Sequence, residues 1–190
     1  MKAIFYSFLL FSSFSSWGQQ AKDYLCLDPN ITLYYQDRSG DTLTMTYGQS
    51  FNYEGYTVCY YTNKRLSTGT ESTVFFAYKD DLLIKGSYVV LDKFKGINYL
   101  DSRIKIVGPN EVIDSSYSVS FDMQLTEFKQ TTRMLKKYID SNGNKYMNVI
   151  EVDQHNLTDD FHYITLYAPG IGIISQGRDE KVFLKAVKNE

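Results

Sequence analysis

Period-two alternation between apolar and polar side chains constrains this chain more than any other feature. Leu43, Met45 and Tyr47 interleave with Thr42, Thr44 and Thr46, and Tyr117, Val119, Phe121 and Met123 interleave with Ser116, Ser118, Ser120 and Asp122. A backbone whose side chains point alternately to opposite faces buries one set and wets the other only as a strand. Antiparallel sheets with one solvated face carry this pattern. The residue stock agrees: 17 tyrosines and 12 phenylalanines, with β-branched residues throughout, stand against 3 prolines. Aromatic and β-branched side chains suit a pleated surface.

Strands are predicted near 31–37, 41–47, 54–62, 71–79, 82–91, 102–107, 115–123, 131–139, 145–152, 161–168, 171–176 and 181–187. Ser39-Gly40, Asp80-Asp81 and Asn142-Gly143 separate adjacent runs as hairpin turns do. Residues 124–130 read as irregular or helical, because Leu125, Phe128, Met134 and Leu135 recur at mixed spacing. The expected fold is all-β: one strongly curved antiparallel sheet or half-barrel of about ten to twelve strands with at most one short helix. Segments 53–62, 72–79 and 82–91 are apolar on both faces. They place Tyr56, Val58, Tyr60, Phe76, Tyr78, Leu82, Ile84 and Tyr88 as the expected lining of a concave, ligand-holding face.

The first eighteen residues, MKAIFYSFLLFSSFSSWG, read as a signal peptide: a basic start at Lys2, an apolar run from Ile4 to Phe14, and small residues at Ser16 and Gly18. The expected organisation is a leader over 1–18 and a single β domain over 19–190, exported to the periplasm or beyond. The leader is too short to span a bilayer comfortably and no later run replaces it, so no integral span is expected in the mature chain. The 20 Lys and Arg against 22 Asp and Glu give a net charge of −2, which offers no footprint for a nucleic-acid backbone. An exported chain with two cysteines favours a disulfide, here Cys26 with Cys59.

Chemistry-bearing clusters are few. His155, Asp159, Asp160 and His162 fall within eight residues but match no metal-ligand spacing, and a solvated loop between strands explains them as well. Asp140-Ser141-Asn142-Gly143-Asn144 starts like a calcium loop yet has Lys145 where the sharp-turn glycine belongs, so a hairpin turn is the simpler reading. No nucleophile elbow, zinc-protease helix motif or phosphate-cradling loop occurs, and neither a catalytic residue nor a cofactor is expected. Two function classes follow: a non-catalytic envelope protein holding a lipid or acyl chain, or a structural or protein-interaction module with no small ligand. A hydrolase is a remote third, because general acid–base work needs a positioned pair that the sequence does not show.

Tyr146-Met147-Asn148-Val149-Ile150, Tyr163 to Tyr167, and Ala168-Pro169-Gly170-Ile171-Gly172-Ile173-Ile174 form an ordered set. Over about 120–187 this set resembles small exported bacterial sheet proteins of the TapB-like kind, a group of unknown function. The resemblance implies a curved antiparallel sheet. Independently of it, Pro169, Gly170 and Gly172 predict a tight corner between two strands, since proline fixes φ and glycine admits positive φ.

Overall fold

The computed structural model describes residues 20–86, 100–121, 124–179 and 181–187. The leader and Tyr88 lie outside these residues. Within them, twelve strands follow one 3₁₀ turn at Ala21–Tyr24. In chain order they are β1 (Thr32–Asp37), β2 (Thr42–Tyr53), β3 (Tyr56–Arg65), β4 (Glu71–Lys79), β5 (Leu82–Gly86) and β6 (Leu100–Lys105). The second half comprises β7 (Val112–Phe121), β8 (Gln124–Ile139), β9 (Lys145–Asn156), β10 (Phe161–Ala168), β11 (Gly172–Arg178) and β12 (Lys181–Val187).

All twelve belong to one antiparallel sheet ordered β6-β5-β4-β3-β2-β1-β12-β11-β10-β9-β8-β7. Two six-strand meanders therefore join through the first and last strands, with Tyr35 opposite Ala186. The sheet's two edges, β6 and β7, are consecutive in sequence. Gln130 on β8 donates to the Arg103 carbonyl of β6 at 2.8 Å, so the sheet curls until its ends meet through a side chain as a nearly closed barrel. Register shifts at Tyr47/Gln49, Leu166/Tyr167, Gln176/Gly177 and Lys85/Gly86 supply the bending that a regular ladder resists.

Opposed residues share a face, so the ladders fix what points inward. Tyr35, Met45, Cys59, Tyr61, Val74, Phe76, Leu83, Ile104, Ile150, Val152 and Tyr167 fill the interior. A smaller cluster, Val58, Phe75, Ala77 and Ile84, with Tyr56, Tyr60 and Leu82 against it, occupies the other face of β3–β5.

The segment predicted as irregular or helical is instead part of β8, a sixteen-residue strand. Its inward face carries Phe128, Gln130, Thr132 and Met134, opposite Asn156, Gln154, Val152 and Ile150 of β9. The period is two, but the polar Gln130 and Thr132 occupy buried positions and hide it. The Gln130 carboxamide is satisfied from both sides, donating to the Arg103 carbonyl and accepting at Oε1 from Gln154 at 3.2 Å, and Gln154 also donates to Tyr117 Oη at 2.6 Å.

The expected disulfide is absent. Cys26 and Cys59 are buried free thiols. Cys59 packs in the interior, where burial pushes its thiol up to about 12. Cys26 is held through its backbone, its carbonyl accepting from Tyr61 Oη at 2.9 Å. The N-terminal segment is tied down by this bond and others, without a covalent link.

Candidate functional site

The two barrel ends differ in chemistry. At the first end lie the β4–β5, β8–β9 and β10–β11 turns, and the N-terminal segment lies across it. Ala21 N–H donates to Asp80 O at 2.9 Å, and Gly170 N–H to Asp23 O at 2.6 Å. Tyr24, fully buried, donates to the Asn148 carbonyl at 2.9 Å. The corner predicted around Pro169 thus also receives this plug. Gly170 and Gly172 have φ of +72° and +92°, and a Cβ on Gly172 would sit 3.5 Å from the Tyr24 carbonyl.

Beside the plug, a cleft of about 640 Å³ opens between the start of β1, the end of β12 and the two C-terminal turns. Ile31, Leu33, Ile171 and Ala186 give it apolar walls, Tyr34 and Tyr146 add rings with a polar tip, and Lys145 lines it as an exposed cation. Ile31 is 44% exposed, a large apolar side chain left in water at this cleft. Burial raises the Tyr146 phenol, with Asp140 adding to the shift, so the ring presents a neutral hydroxyl. Asp140 organises the neighbouring hairpin by accepting from the Asn142 and Asn144 N–H groups at 2.8 and 2.9 Å, the turn geometry expected for this segment.

The lining set read from sequence does not form one surface. Tyr56, Val58, Tyr60, Leu82 and Ile84 belong to the outer cluster of β3–β5, whereas Phe76 and Tyr78 face the interior. The ladders explain the split: Val58 opposes Ala77, and Cys59 opposes Phe76, one residue along and on the other face. The interior face carries the main buried cluster, with the N-terminal segment packed at the first end. The 640 Å³ cleft was missed because its walls come from four separate segments, none conspicuous alone.

At the second end, Arg65 Nη1 bonds Asp37 Oδ2 at 2.7 Å and Asp41 Oδ2 at 2.9 Å. Ser39 and Arg65 hold the Asp37 carboxyl down at about 2, and Ser67, the Thr42 N–H and Arg65 lower Asp41. This cluster borders a second cleft of about 460 Å³, lined by Leu43, Asn63, Arg65, Thr68, Thr70 and Ser72.

The histidine cluster is assembled, but not around one point. His155 and His162 are direct cross-strand partners, not loop residues, and their rings stack at 4.3 Å and 9°. His155 Nε2 pairs with Asp160 Oδ1 and His162 Nδ1 with Asp153 Oδ1, each at 2.8 Å, while Asp159 accepts from Asn156. Parallel rings with separate carboxylates do not converge on an ion, and the described residues contain no group of three or more His, Cys, Asp or Glu suited to a metal. No helix among the described residues is long and apolar enough to cross a membrane.

No protein-family model matches the chain, and no curated protein does. Two solved structures resemble it distantly. A candidate lipoprotein from Parabacteroides distasonis has a TM-score of 0.45 at 9% identity, covering 82% of this chain and 91% of its own. A candidate exported protein with a YmcC-like fold from Bacteroides fragilis has a TM-score of 0.38 at 12% identity, covering 83% of this chain and 94% of its own. Both likenesses are too distant to carry a function here.

Proposed function

We propose that the protein is an exported, non-catalytic binding protein that holds an acyl chain in the cleft between β1, β12 and the β8–β9 and β10–β11 turns. The observation that carries this reading is the cleft itself, where Ile31, Leu33, Ile171 and Ala186 form an apolar part beside Thr32, Asn144 and Lys145, with Ile31 exposed. Its volume of about 640 Å³ falls in the range of small-molecule sites. The apolar walls would take the chain, and Lys145 would meet an anionic head group. Export rests on the leader-like first eighteen residues.

Each methylene removed from water contributes about 0.8 kcal/mol, so affinity for saturated fatty acids rises about fourfold per carbon until the cleft is full and then levels. Titration of purified protein with a chain-length series tests this. Ile31→Asp, at an exposed position, should flatten the series. Absence of binding, or affinity independent of chain length, overturns the reading.

The buried cluster on the interior face supports a second reading, a structural or interaction module with no small ligand. Crosslinking in cells that captures a defined envelope partner, together with a failed fatty-acid series, would move the account there.

A further inference from the structure

We propose that the free end of the β8–β9 hairpin is a docking surface for a bilayer that carries anionic lipid. β7 pairs with β8 no further than Arg133, and β10 pairs with β9 no further than Ile150, so residues 134–149 continue past both neighbouring strands as a two-stranded ribbon. Its turn is pinned from β12, where Lys185 donates to Ser141 Oγ and to Asn142 Oδ1, the latter at 2.7 Å. Tyr138 and Tyr146, direct cross-strand partners with ring centroids 6.3 Å apart, pack against the core and give the ribbon its covered face. The alternate positions point away from the barrel. There Lys137 opposes Met147 and Ile139 opposes Lys145, all four exposed, with Ile139 49% and Met147 58% open to water.

This block sets two cations among two large apolar side chains, and Lys136 adds a third exposed cation. The ribbon's one acid, Asp140, is 9% exposed and turned into its own hairpin, where it accepts from the Asn142 and Asn144 N–H groups. At the ribbon's base Glu151 is taken up by Arg133 at 2.6 Å. The free face is therefore cationic on a chain of net charge −2, and a second copy of the ribbon would set lysine against lysine. An anionic bilayer complements both of its features. The ammonium groups meet head-group phosphates, each contributing about fivefold to partitioning, and Ile139 and Met147 enter the acyl boundary beneath. Lys145 also lines the acyl-chain cleft with Ile31, so a docked ribbon sets that cleft beside the membrane. Docking rests on the ribbon alone, and only the transfer of an acyl chain from that membrane rests on the proposed function.

The test is co-sedimentation of the whole protein with vesicles of phosphatidylcholine alone and of one part phosphatidylglycerol to two parts phosphatidylcholine, at low and high salt. Binding is expected on the anionic vesicles, weaker at high salt, and far weaker on the neutral ones. Lys136→Gln with Lys137→Gln should weaken it about twentyfold, fivefold for each charge. Ile139→Ser with Met147→Ser, at exposed positions that leave the core alone, should weaken it about tenfold. Equal binding to both vesicles, or unaltered binding in either double variant, overturns the proposal. So does the absence of sedimentation with either vesicle, and a crosslink from Lys137 to an acidic protein or to a second copy would then assign the face to that partner. None of the four substituted side chains lines the acyl-chain cleft, so both variants should keep the wild-type fatty-acid series. A failed series with intact vesicle binding overturns the acyl-chain reading alone.

Discussion

Tyr24 and Asn148 meet across the barrel: the tyrosine hydroxyl of the N-terminal turn donates to the asparagine carbonyl of β9 at 2.9 Å. Asn148 has a φ of +54°, and β8 and β9 pair on either side of it, at Leu135 with Val149 and Lys137 with Met147, without a register shift. A local departure from strand geometry thus coincides with the point where the plug is anchored, and asparagine tolerates the left-handed backbone better than most residues.

Removing only the hydroxyl, as Tyr24→Phe, should cost about 1 kcal/mol, whereas Tyr24→Ala, which also empties a buried ring site, should cost about 3–5 kcal/mol. Asn148→Gly should be near neutral and Asn148→Val clearly destabilising. Urea denaturation of the four variants checks the series. Equal losses for Tyr24→Phe and Tyr24→Ala would mean that the ring is not packed as described.

The Asp37 carboxyl falls from an ordinary 3.8 to about 2, and Asp41 is lowered beside it. A depressed carboxyl contributes stability in full above its unfolded value and loses it as pH falls through its folded one. Melting temperature should therefore drop as pH goes from about 4 to about 2, and Asp37→Asn should be less stable at neutral pH with a shallower acid limb. A parallel acid limb in the variant would remove Asp37 from the account.

Both cysteines are buried free thiols, and Cys59 is pushed up to about 12 by burial. The thiolate is the reactive form, so native protein should resist iodoacetamide at mild alkaline pH and take up two equivalents once denatured. Mass spectrometry reads the outcome directly. A mass two hydrogens short that is restored by reductant would contradict the free-thiol core.

Gly48 sits at the β2–β3 register shift, and a Cβ there would overlap the Tyr60 ring. Gly48→Ala must displace that ring from its edge contact with Phe75 on the outer face, at an expected cost of about 1–3 kcal/mol. The double variant Gly48→Ala with Tyr60→Ala should recover part of the loss, because the obstructing ring is gone. Thermal melts of the two test it.

The alternation that revealed β2 and β7 failed at β8 for a physical reason. Sequence periodicity equates inward with apolar, while the barrel buries Gln130, Thr132, Thr165, Gln176 and Asn63 on its inward faces. The three hairpins at Ser39-Gly40, Asp80-Asp81 and Asn142-Gly143 were legible because turn chemistry is local. Face assignment on β3–β5 was not, since both faces are apolar there and only the ladder separates Val58 from Cys59. The 640 Å³ cleft was invisible because it is made where distant segments, 31–34, 143–146, 171 and 186, meet.

Native mass spectrometry of the protein recovered from its own cells, beside the Ile31→Asp variant, tests the binding account most directly. The account predicts an adduct of acyl-chain or lipid size on the wild type that is lost or strongly reduced in the variant. A bare wild-type mass, or an adduct retained equally by Ile31→Asp, would contradict it.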